Sequence, residues 1–273
     1  MSKQISIIIP AYNEEKYISH CLGSISKQTV KPFNVIVIDD GSTDSTSSIA
    51  RKYEVEIYKI NHSGPGNAKN YGASKARGEI LVFIDADMLL DKNYIKNITA
   101  PIIKGKCLCT YTTEEYVQNM ENIWAKCWNI NSNLPFKRRV NIDREYKELA
   151  FRAILKKTFE QTSGYNSAWG YFDDGSLSKF GVFAKAVNNA ICYHYNPDTL
   201  KDVFFSARWI GRSNKLNLSI RNILRYSILN SLKIAYRNVI NGAPFLFVVF
   251  KVIFDFGIVV GMFTKMEKYN YAK

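Results

Sequence analysis

The clearest indication of the fold class is the segment Ile80-Leu81-Val82-Phe83-Ile84-Asp85-Ala86-Asp87. Five apolar residues run directly into two carboxylates that are separated by one alanine. An unbroken apolar run of this length predicts a strand buried on both faces, as in a mostly parallel sheet. Open α/β sheets bind ligands at the carboxyl ends of their strands, so Asp85 and Asp87 are predicted to face a ligand. Adjacent carboxylates repel each other unless a positive group joins them, and a divalent cation that bridges to a phosphate meets this need.

Composition places the chain among globular proteins. It has 273 residues, of which 47% are hydrophobic and 14% aromatic, so it can form one large core or one domain with an appendage. The net charge is +13 and is uneven, because the segment from Lys201 onward holds 12 Lys and Arg against three acids. A basic excess of this kind suggests either nucleic acid or an anionic membrane surface as a partner.

The cysteines and the N-terminus indicate a cytoplasmic protein. Five scattered cysteines, an odd number, suit a reduced environment better than a disulfide framework. The first apolar run is short, lacks a cleavage pattern and leads into Asn13-Glu14-Glu15, so it is not predicted to be a signal peptide.

Strand-like and helix-like segments alternate over about the first hundred residues. Strands are predicted at residues 5–9, 35–38, 55–58 and 80–84, with helices around residues 17–25 and 67–77. This alternation predicts βαβ units around a parallel sheet, with polar turns after Ile9, Ile38 and Ile84 that can converge on one crevice. A Gly-x-Gly-x-x-Gly after the first strand and a Walker lysine loop are both missing, which disfavours a dinucleotide site or a P-loop.

The middle of the chain is less regular. Residues 114–130 have helical spacing of apolar side chains and are predicted to form a helix. Gly170-Tyr171-Phe172-Asp173-Asp174-Gly175 is predicted to be an acidic, aromatic loop that opens onto a helix. Residues 191–195 are predicted to form a strand that carries His194.

Several motifs occur in a fixed order between residues 4 and 213. They are Pro10-Ala11-Tyr12-Asn13-Glu14, Asp39-Asp40-Gly41-Ser42-Thr43-Asp44, Gly66-x-Ala68-Lys69-Asn70-x-Gly72, Ala76-x-Gly78-Glu79 before Asp85-Ala86-Asp87, Asp173-Asp174-x-x-Leu177, His194 with Pro197 and Leu200-Lys201, and Trp209-x-Gly211-Arg212-Ser213. Together they resemble family 2 glycosyltransferases. The resemblance implies the GT-A fold, a Rossmann-like, mostly parallel sheet with flanking helices.

The resemblance also implies a role for each matched position. The donor-binding positions are Pro10, Ala11, Tyr12, Glu14, Asp40, Lys69, Asp85 and Ala86. Asp87 matches the ligand of a Mn²⁺ or Mg²⁺ ion, His194 matches a position that binds the metal in some members, and Asp174 matches the catalytic base. The acceptor-binding positions are Trp169, Asp173, Trp209 and Arg212. Asp173 and Ser176 depart from the family, which more usually has glutamate and a second acid there.

The implied chemistry is consistent with these residue types. A nucleotide diphosphate gains negative charge as the glycosidic bond breaks, and a hard cation can neutralise that charge. Asp174 suffices as general base toward the acceptor hydroxyl, an effect of about 10²–10⁴-fold. A single attack from the opposite face inverts the anomeric carbon, so we expect an inverting enzyme.

The last 60 residues are predicted to associate with a membrane. Residues 216–240 read as a helix with Arg221, Arg225, Lys233 and Arg237 on one broad face, which suits an anionic interface. Residues 243–263 are apolar except for two charges, Lys251 and Asp255, and are long enough to span a bilayer. Because charges near the midplane are costly, a span, an interfacial or re-entrant helix, and packing on the catalytic domain all stay open.

The sequence thus predicts a GT-A domain at residues 1–213 and C-terminal helices at residues 214–273. The nucleotide-binding half covers about residues 1–100, and the acceptor half covers residues 101–213. The predicted function is metal-dependent, inverting transfer from a UDP- or GDP-linked sugar to a hydroxyl or phosphate of a glycan or lipid-linked acceptor, at the cytoplasmic face of a membrane.

Three alternative functions share features with this sequence. An inactive relative that binds glycans or nucleotides would keep the same motifs. A sugar nucleotidyltransferase is disfavoured because a glycine-rich, basic triphosphate loop does not follow the first strand. Nucleic-acid binding rests on net charge alone, without a recognition motif, and is not expected.

Overall fold

The computed structural model describes residues 3–140, 151–166, 177, 179–213 and 216–270, and gives side chains up to residue 264. Its strands are β1 Ile5–Ala11, β2 Asn34–Asp39, β3 Glu56–Lys59, β4 Ile80–Phe83, β5 Met88–Leu90, β6 Cys109–Thr112, β7 Glu115–Val117, β8 Ala153–Leu155, β9 Lys185–Val187 and β10 Cys192–His194. Its helices are α1 Ile18–Ser26, α2 Thr46–Ala50, α3 Pro65–Lys75, α4 Tyr94–Ile103, α5 Ile123–Asn131, α6 Lys156–Glu160, α7 Leu200–Gly211, α8 Ile220–Arg225, α9 Ile228–Ile240 and α10 Phe247–Asn270.

A seven-stranded sheet has the order β3-β2-β1-β4-β8-β6-β9. The first four of these neighbours are parallel, since β1 pairs with β2 and β4, and β2 pairs with β3. β8 runs antiparallel to both β4 and β6, whereas β6 and β9 are parallel. The α/β fold with a mostly parallel sheet is therefore confirmed.

The central strands are buried on both faces, as their unbroken apolar runs predicted. Along β1 the side chains alternate, so Ile7 and Ile9 pack with α1 and α4, whereas Ile8 packs with α3 on the opposite layer. Each fully buried isoleucine contributes about 1.5–3 kcal/mol of transfer free energy. Gly72 of α3 allows close packing there, because a Cβ at this position would lie 2.4 Å from the Cγ2 of Ile8.

A second sheet of three strands has the order β5-β10-β7. β10 is antiparallel to β5, with His194 opposite Met88. Since Met88 follows Asp87 directly, this register brings the histidine beside the two aspartates at the end of β4. The predicted strand with its single histidine is confirmed.

The chain divides into two compact units. The first contains the seven-stranded sheet, and the second contains α5 and α7–α10. The functional division at residue 213 stays a prediction. All five cysteines carry free thiols.

Two helix predictions were wrong. Residues 114–130 form β7, which ends at Val117, a turn, and then α5, which Asn122 caps by accepting from the backbone N–H groups of Trp124 and Ala125. Residues 216–240 form two helices, α8 and α9. The break occurs at Ser227, whose side chain accepts from the N–H of Asn230 and so starts a new helix.

The second unit is built around α10. It packs on α7 at three glycines, Gly211, Gly257 and Gly261, which bring the two backbones close together. An 18-residue window of α10, Phe247–Thr264, has a mean hydropathy of 2.1, and half of it is buried inside the protein. By length and composition α10 is thus the one helix among the described residues that is able to cross a membrane.

Candidate active site

Three polar turns lie at the same edge of the seven-stranded sheet, after the parallel strands β1, β2 and β4. Backbone hydrogen bonds join these ends, since the N–H of Asp40 donates to Ala11 O at 2.8 Å and the N–H of Ile84 donates to Ile8 O at 3.0 Å. The predicted convergence of the turns on one crevice follows from this pairing. Pro10, Ala11 and Ala86 lie in the same strand ends, where Ala11 and Ala86 are buried.

Asp40 is buried and holds the loop that begins α3. Its carboxylate accepts hydrogen bonds from the N–H groups of Ser63 and Gly64, each at 2.8 Å, and lies 3.0 Å from Nδ1 of His62. Gly64 has a φ of +93°, which favours glycine at this start of the helix. Asp40 therefore fixes the His62–Gly64 segment against the end of β2.

An aromatic stack lies beside Asp40. The rings of Tyr12 and His62 have centroids 4.0 Å apart and planes 28° apart, and Tyr12 is 44% exposed. A flat, partly exposed ring of this kind offers a surface on which a nucleotide base can stack. His62 was not identified from the sequence, because a lone histidine in a loop has no periodic or motif signal.

The first two turns are tied together by side chains. The N–H of Asn13 donates to Ser42 Oγ at 3.0 Å, and Asn13 Oδ1 accepts from the N–H of Thr43 at 2.9 Å. Asn13 has a φ of 56°, a backbone conformation that asparagine tolerates better than most residues. Next to it, the N–H of Glu14 donates to Thr46 Oγ1 at 2.7 Å. These bonds hold the turn after β1 in place.

Three predicted residues form an acidic centre at the end of β4. Asp85, Asp87 and His194 each offer a ligand atom, and these atoms all lie within 4.8 Å of one another. The pKa of Glu14 is raised well above its ordinary value by burial and by the carboxylates of Asp87 and Asp85. Two carboxylate oxygens and one imidazole nitrogen are a donor set that suits Mn²⁺ and, through its oxygens, Mg²⁺.

The acidic centre is held by a buried arginine. Arg152 donates from Nη1 to Asp85 Oδ2 at 2.9 Å and from Nη2 to Glu115 Oε2 at 3.2 Å. Nε2 of His194 lies 3.0 Å from Glu115 Oε1, and Nδ1 lies 3.5 Å from Asp87 Oδ1. Glu115 thus orients the imidazole so that its other nitrogen faces Asp87, as an outer carboxylate does for a metal-ligating histidine.

Positive charge keeps Asp85 ionised. Burial would raise the pKa of its carboxyl, but the charges of Arg152 and Lys69 lower that pKa to about 2. Lys69 is itself buried, and its Nζ lies 4.7 Å from the ring centroid of Tyr165. The Asn70 side chain holds the Tyr165 backbone, since its Nδ2 donates to Tyr165 O at 2.9 Å and its Oδ1 accepts from the N–H of Tyr165 at 2.8 Å. The donor-binding role of Lys69 stays a prediction.

Arg152 and Glu115 were missed by the sequence analysis. Arg152 lies within the apolar run Phe151-Arg152-Ala153-Ile154-Leu155, and a lone arginine there signals a buried cation that needs an acidic partner. Glu115 falls in the segment that was predicted to be helical, so its neighbours could not be assigned.

The predicted acceptor-side residues are described separately from this centre. Trp169, Asp173 and Asp174 lie outside the described residues. Trp209 is part of α7 in the second unit, and Arg212 follows that helix and donates from Nε to Thr264 Oγ1 at 3.2 Å. The catalytic role of Asp174 and the four acceptor-binding roles stay predictions.

Known proteins share both sequence and fold with this chain. A model described as Glycosyl transferase family 2 matches residues 6–180. Glycosyltransferase GlyG of Streptococcus pneumoniae is 35% identical over 247 residues, which cover 77% of this chain and 76% of GlyG. The poly(ribitol-phosphate) beta-N-acetylglucosaminyltransferase TarS of Staphylococcus aureus is 38% identical over 105 residues, covering 36% of this chain and 18% of TarS.

Solved structures support the fold. S. aureus TarS 1-349 in complex with UDP gives a TM-score of 0.57 at 16% identity, covering 99% of this chain and 92% of that chain. Glucosyl-3-phosphoglycerate synthase from Mycobacterium tuberculosis, in complex with Mn²⁺, UDP and phosphoglyceric acid, gives 0.52 at 19% identity, covering 77% and 76%. The family match over residues 6–180 and the similarity to GlyG establish that this chain is a glycosyltransferase and belongs to glycosyl transferase family 2, with the GT-A fold.

Proposed function

We propose that the chain transfers a sugar from a UDP-linked donor to a hydroxyl of a glycan or lipid-linked acceptor, with inversion and with Mn²⁺ or Mg²⁺. The observation that carries this proposal is the cluster of Asp85, Asp87 and His194 at the sheet edge where β1 and β2 also end. The cluster lies at the carboxyl edge of the sheet, where ligands of open α/β folds bind.

The nucleoside would bind between the first two strand ends. Tyr12 offers its ring to the base, and His62 fixes that ring by stacking on its other face. Asp40 anchors the loop that carries His62, so the aromatic surface is preformed. UDP in the structures of TarS and of the mycobacterial synthase supports uridine over guanosine as the base.

The donor diphosphate would meet the acidic centre. Asp85, Asp87 and His194 would hold the cation, which when bound neutralises negative charge on the departing diphosphate. Arg152 and Glu115 keep these three groups in position before the ligand arrives, which limits reorganisation during transfer. Lys69 adds a positive charge at the same centre.

The acceptor side of the proposal rests on the motif resemblance. Asp174 would remove the proton of the acceptor hydroxyl as it attacks the anomeric carbon, and Trp169, Asp173, Trp209 and Arg212 would position the acceptor. Attack from the face opposite the leaving diphosphate inverts the anomeric configuration. Proton NMR of the product should therefore show the configuration opposite to that of the donor.

A membrane location at the cytoplasmic face is part of the proposal. It is supported by the basic excess of the C-terminal segment. A lipid-linked acceptor would then lie at the surface to which the enzyme is bound.

The test is thermal unfolding with UDP, with and without Mn²⁺, in the intact chain. A ligand present at 100 times its dissociation constant stabilises the folded state by about 2.7 kcal/mol, which raises Tm by about 5 °C. We expect this shift with UDP and Mn²⁺, and its loss with EDTA or in Asp87→Asn. Glu79→Gln, which removes an exposed acid of the same unit, is the matched control and should keep the shift.

Two outcomes would contradict the proposal. Equal stabilisation by UDP with Mn²⁺ and with EDTA would refute the metal site. Stabilisation without any release of UDP from UDP-sugars, whichever acceptor is added, would favour the inactive binding relative.

A further inference from the structure

Helix α9 presents five of its seven large apolar residues outward, whereas Ile234 and Val239 are partly buried. One row, spaced by four residues, consists of Ile228, Leu232, Tyr236 and Ile240, which are exposed by 67, 42, 67 and 65%. The adjacent row consists of Leu229, Lys233 and Arg237, and Leu229 is 82% exposed. The outer surface of α9 is therefore an apolar stripe bordered by two cations.

The inward side of α9 has the opposite character. Its buried residues are small, namely Ser231 and Ala235, and Ser231 donates from Oγ to Asp255 of α10 at 2.7 Å. A helix on a water-exposed surface normally buries its large apolar residues and exposes its polar ones. The reversal in α9 indicates that its outer face is covered by something apolar.

Neighbouring residues extend this surface. Among the large apolar side chains of the described residues, the three most exposed are Leu229, Ile220 of α8 at 79%, and Phe245 before α10 at 78%. We call the outward side chains of α8, α9 and Phe245 the α8–α9 face. Residues 216–250 contain four basic residues and no acidic residue.

Helix α10 is a core helix of the same unit. A Cβ on Gly261 would lie 2.2 Å from the backbone O of Arg208, so α10 and α7 touch through their backbones. Lys251 and Asp255 are buried and pair at 2.8 Å within the unit. If α10 crossed a bilayer while packed in this way, α7 would enter the hydrocarbon with its charged side chains, which membranes strongly disfavour.

We propose that the α8–α9 face lies in the interfacial layer of an anionic bilayer and anchors the chain without crossing it, whereas α10 stays inside the helical unit. This inference rests on the proposed membrane location and names the surface responsible. Charge complementarity selects the partner, because four cations without an acid attract anionic headgroups. The same charge would repel a second copy of this face.

The test is cosedimentation of the intact chain with vesicles of phosphatidylcholine, alone or mixed with phosphatidylglycerol. Each basic side chain near the surface is worth about fivefold in affinity, so Lys233→Ser with Arg237→Ser should weaken binding to the mixed vesicles about 25-fold. Leu229→Ser with Tyr236→Ser should weaken binding to a similar extent. Matched controls in the first unit, Lys104→Ser with Lys106→Ser, and Leu108→Ser, should bind like the parent chain.

The following results would overturn the inference. Resistance of the membrane-bound chain to alkaline carbonate would show that α10 spans the bilayer. A dimer in solution that Leu229→Ser with Tyr236→Ser converts to a monomer would show that a second copy covers the face. Stabilisation by UDP is measured on the same variants, so that this test is separate from the test of the proposed function. If the chain binds UDP but does not bind vesicles, only the membrane anchor is refuted.

Discussion

Replacing Arg152 tests whether the acidic centre depends on a buried cation. In Arg152→Met the side-chain volume is approximately kept, but Glu115 and Asp85 lose their guanidinium partner. The side chain of Glu115 is only 10% exposed, and that of Asp85 is 35% exposed, so water can compensate mainly at the aspartate. We therefore expect most of the cost to come from Glu115.

Removing one partner of a buried ion pair typically costs about 3–5 kcal/mol. For a chain of this size, each kcal/mol corresponds to about 2 °C, so Tm should fall by about 6–10 °C. Arg77 provides a matched control, because it also pairs with a carboxylate, Glu56, but is 59% exposed. Arg77→Met should change the stability by no more than about 1 kcal/mol.

The assay is urea unfolding followed by circular dichroism, with Mn²⁺-dependent stabilisation by UDP measured in parallel. Glu115→Gln in the Arg152→Met background removes the carboxylate charge that no longer faces a guanidinium. It should restore more than half of the loss in the free energy of unfolding. A double variant that is no more stable than Arg152→Met would refute the reasoning. Equal losses in Arg152→Met and Arg77→Met would refute it as well.

Three further predictions follow from the same structure. His62→Ala removes one ring of the stack beside Asp40 and should weaken UDP binding about three- to tenfold, measured by isothermal titration calorimetry. Gly261→Ala places a methyl group against the backbone of α7 and should lower the free energy of unfolding by about 1–3 kcal/mol, whereas Gly23→Ala, whose nearest neighbour is 3.9 Å away, should not. The pKa of Asp85 is about 2 in the folded chain and about 4 when unfolded, so its stabilisation is present above pH 4 and is lost as the pH falls toward 2. Asp85→Asn should therefore show a smaller loss of stability between pH 5 and pH 2.5 than the parent chain, in urea titrations.

The parts of the fold that the sequence predicted correctly are those with local signals. The central strands have unbroken apolar runs, and the carboxylates after β4 follow the most apolar of them. Parallel pairing then forces the turns after β1, β2 and β4 to one edge. The position of His194 beside Asp87 depends on the register of β10 on β5. The sequence predicts the strand that carries His194 but not its partner or its register.

The missed features depend on contacts between distant segments. Arg152 meets Asp85 because β8 is antiparallel to β4, and nothing within either segment specifies that pairing. Apolar spacing over residues 216–240 is helical throughout, so the break at Ser227 could be recognised only from its capping bond. The outward orientation of Leu229 likewise depends on which face of α9 packs on α10.

The glycine contact between α7 and α10 affects how the protein can be shortened. A truncation after residue 213 removes every residue predicted to meet a membrane, and by that criterion alone it would give a soluble fragment. It would also strip α7 of its partner and expose Val203, Ala207 and Gly211, which are buried in the full chain. Such a fragment should aggregate, and the better route to a soluble enzyme is to keep α10 and make the outer side chains of α9 polar.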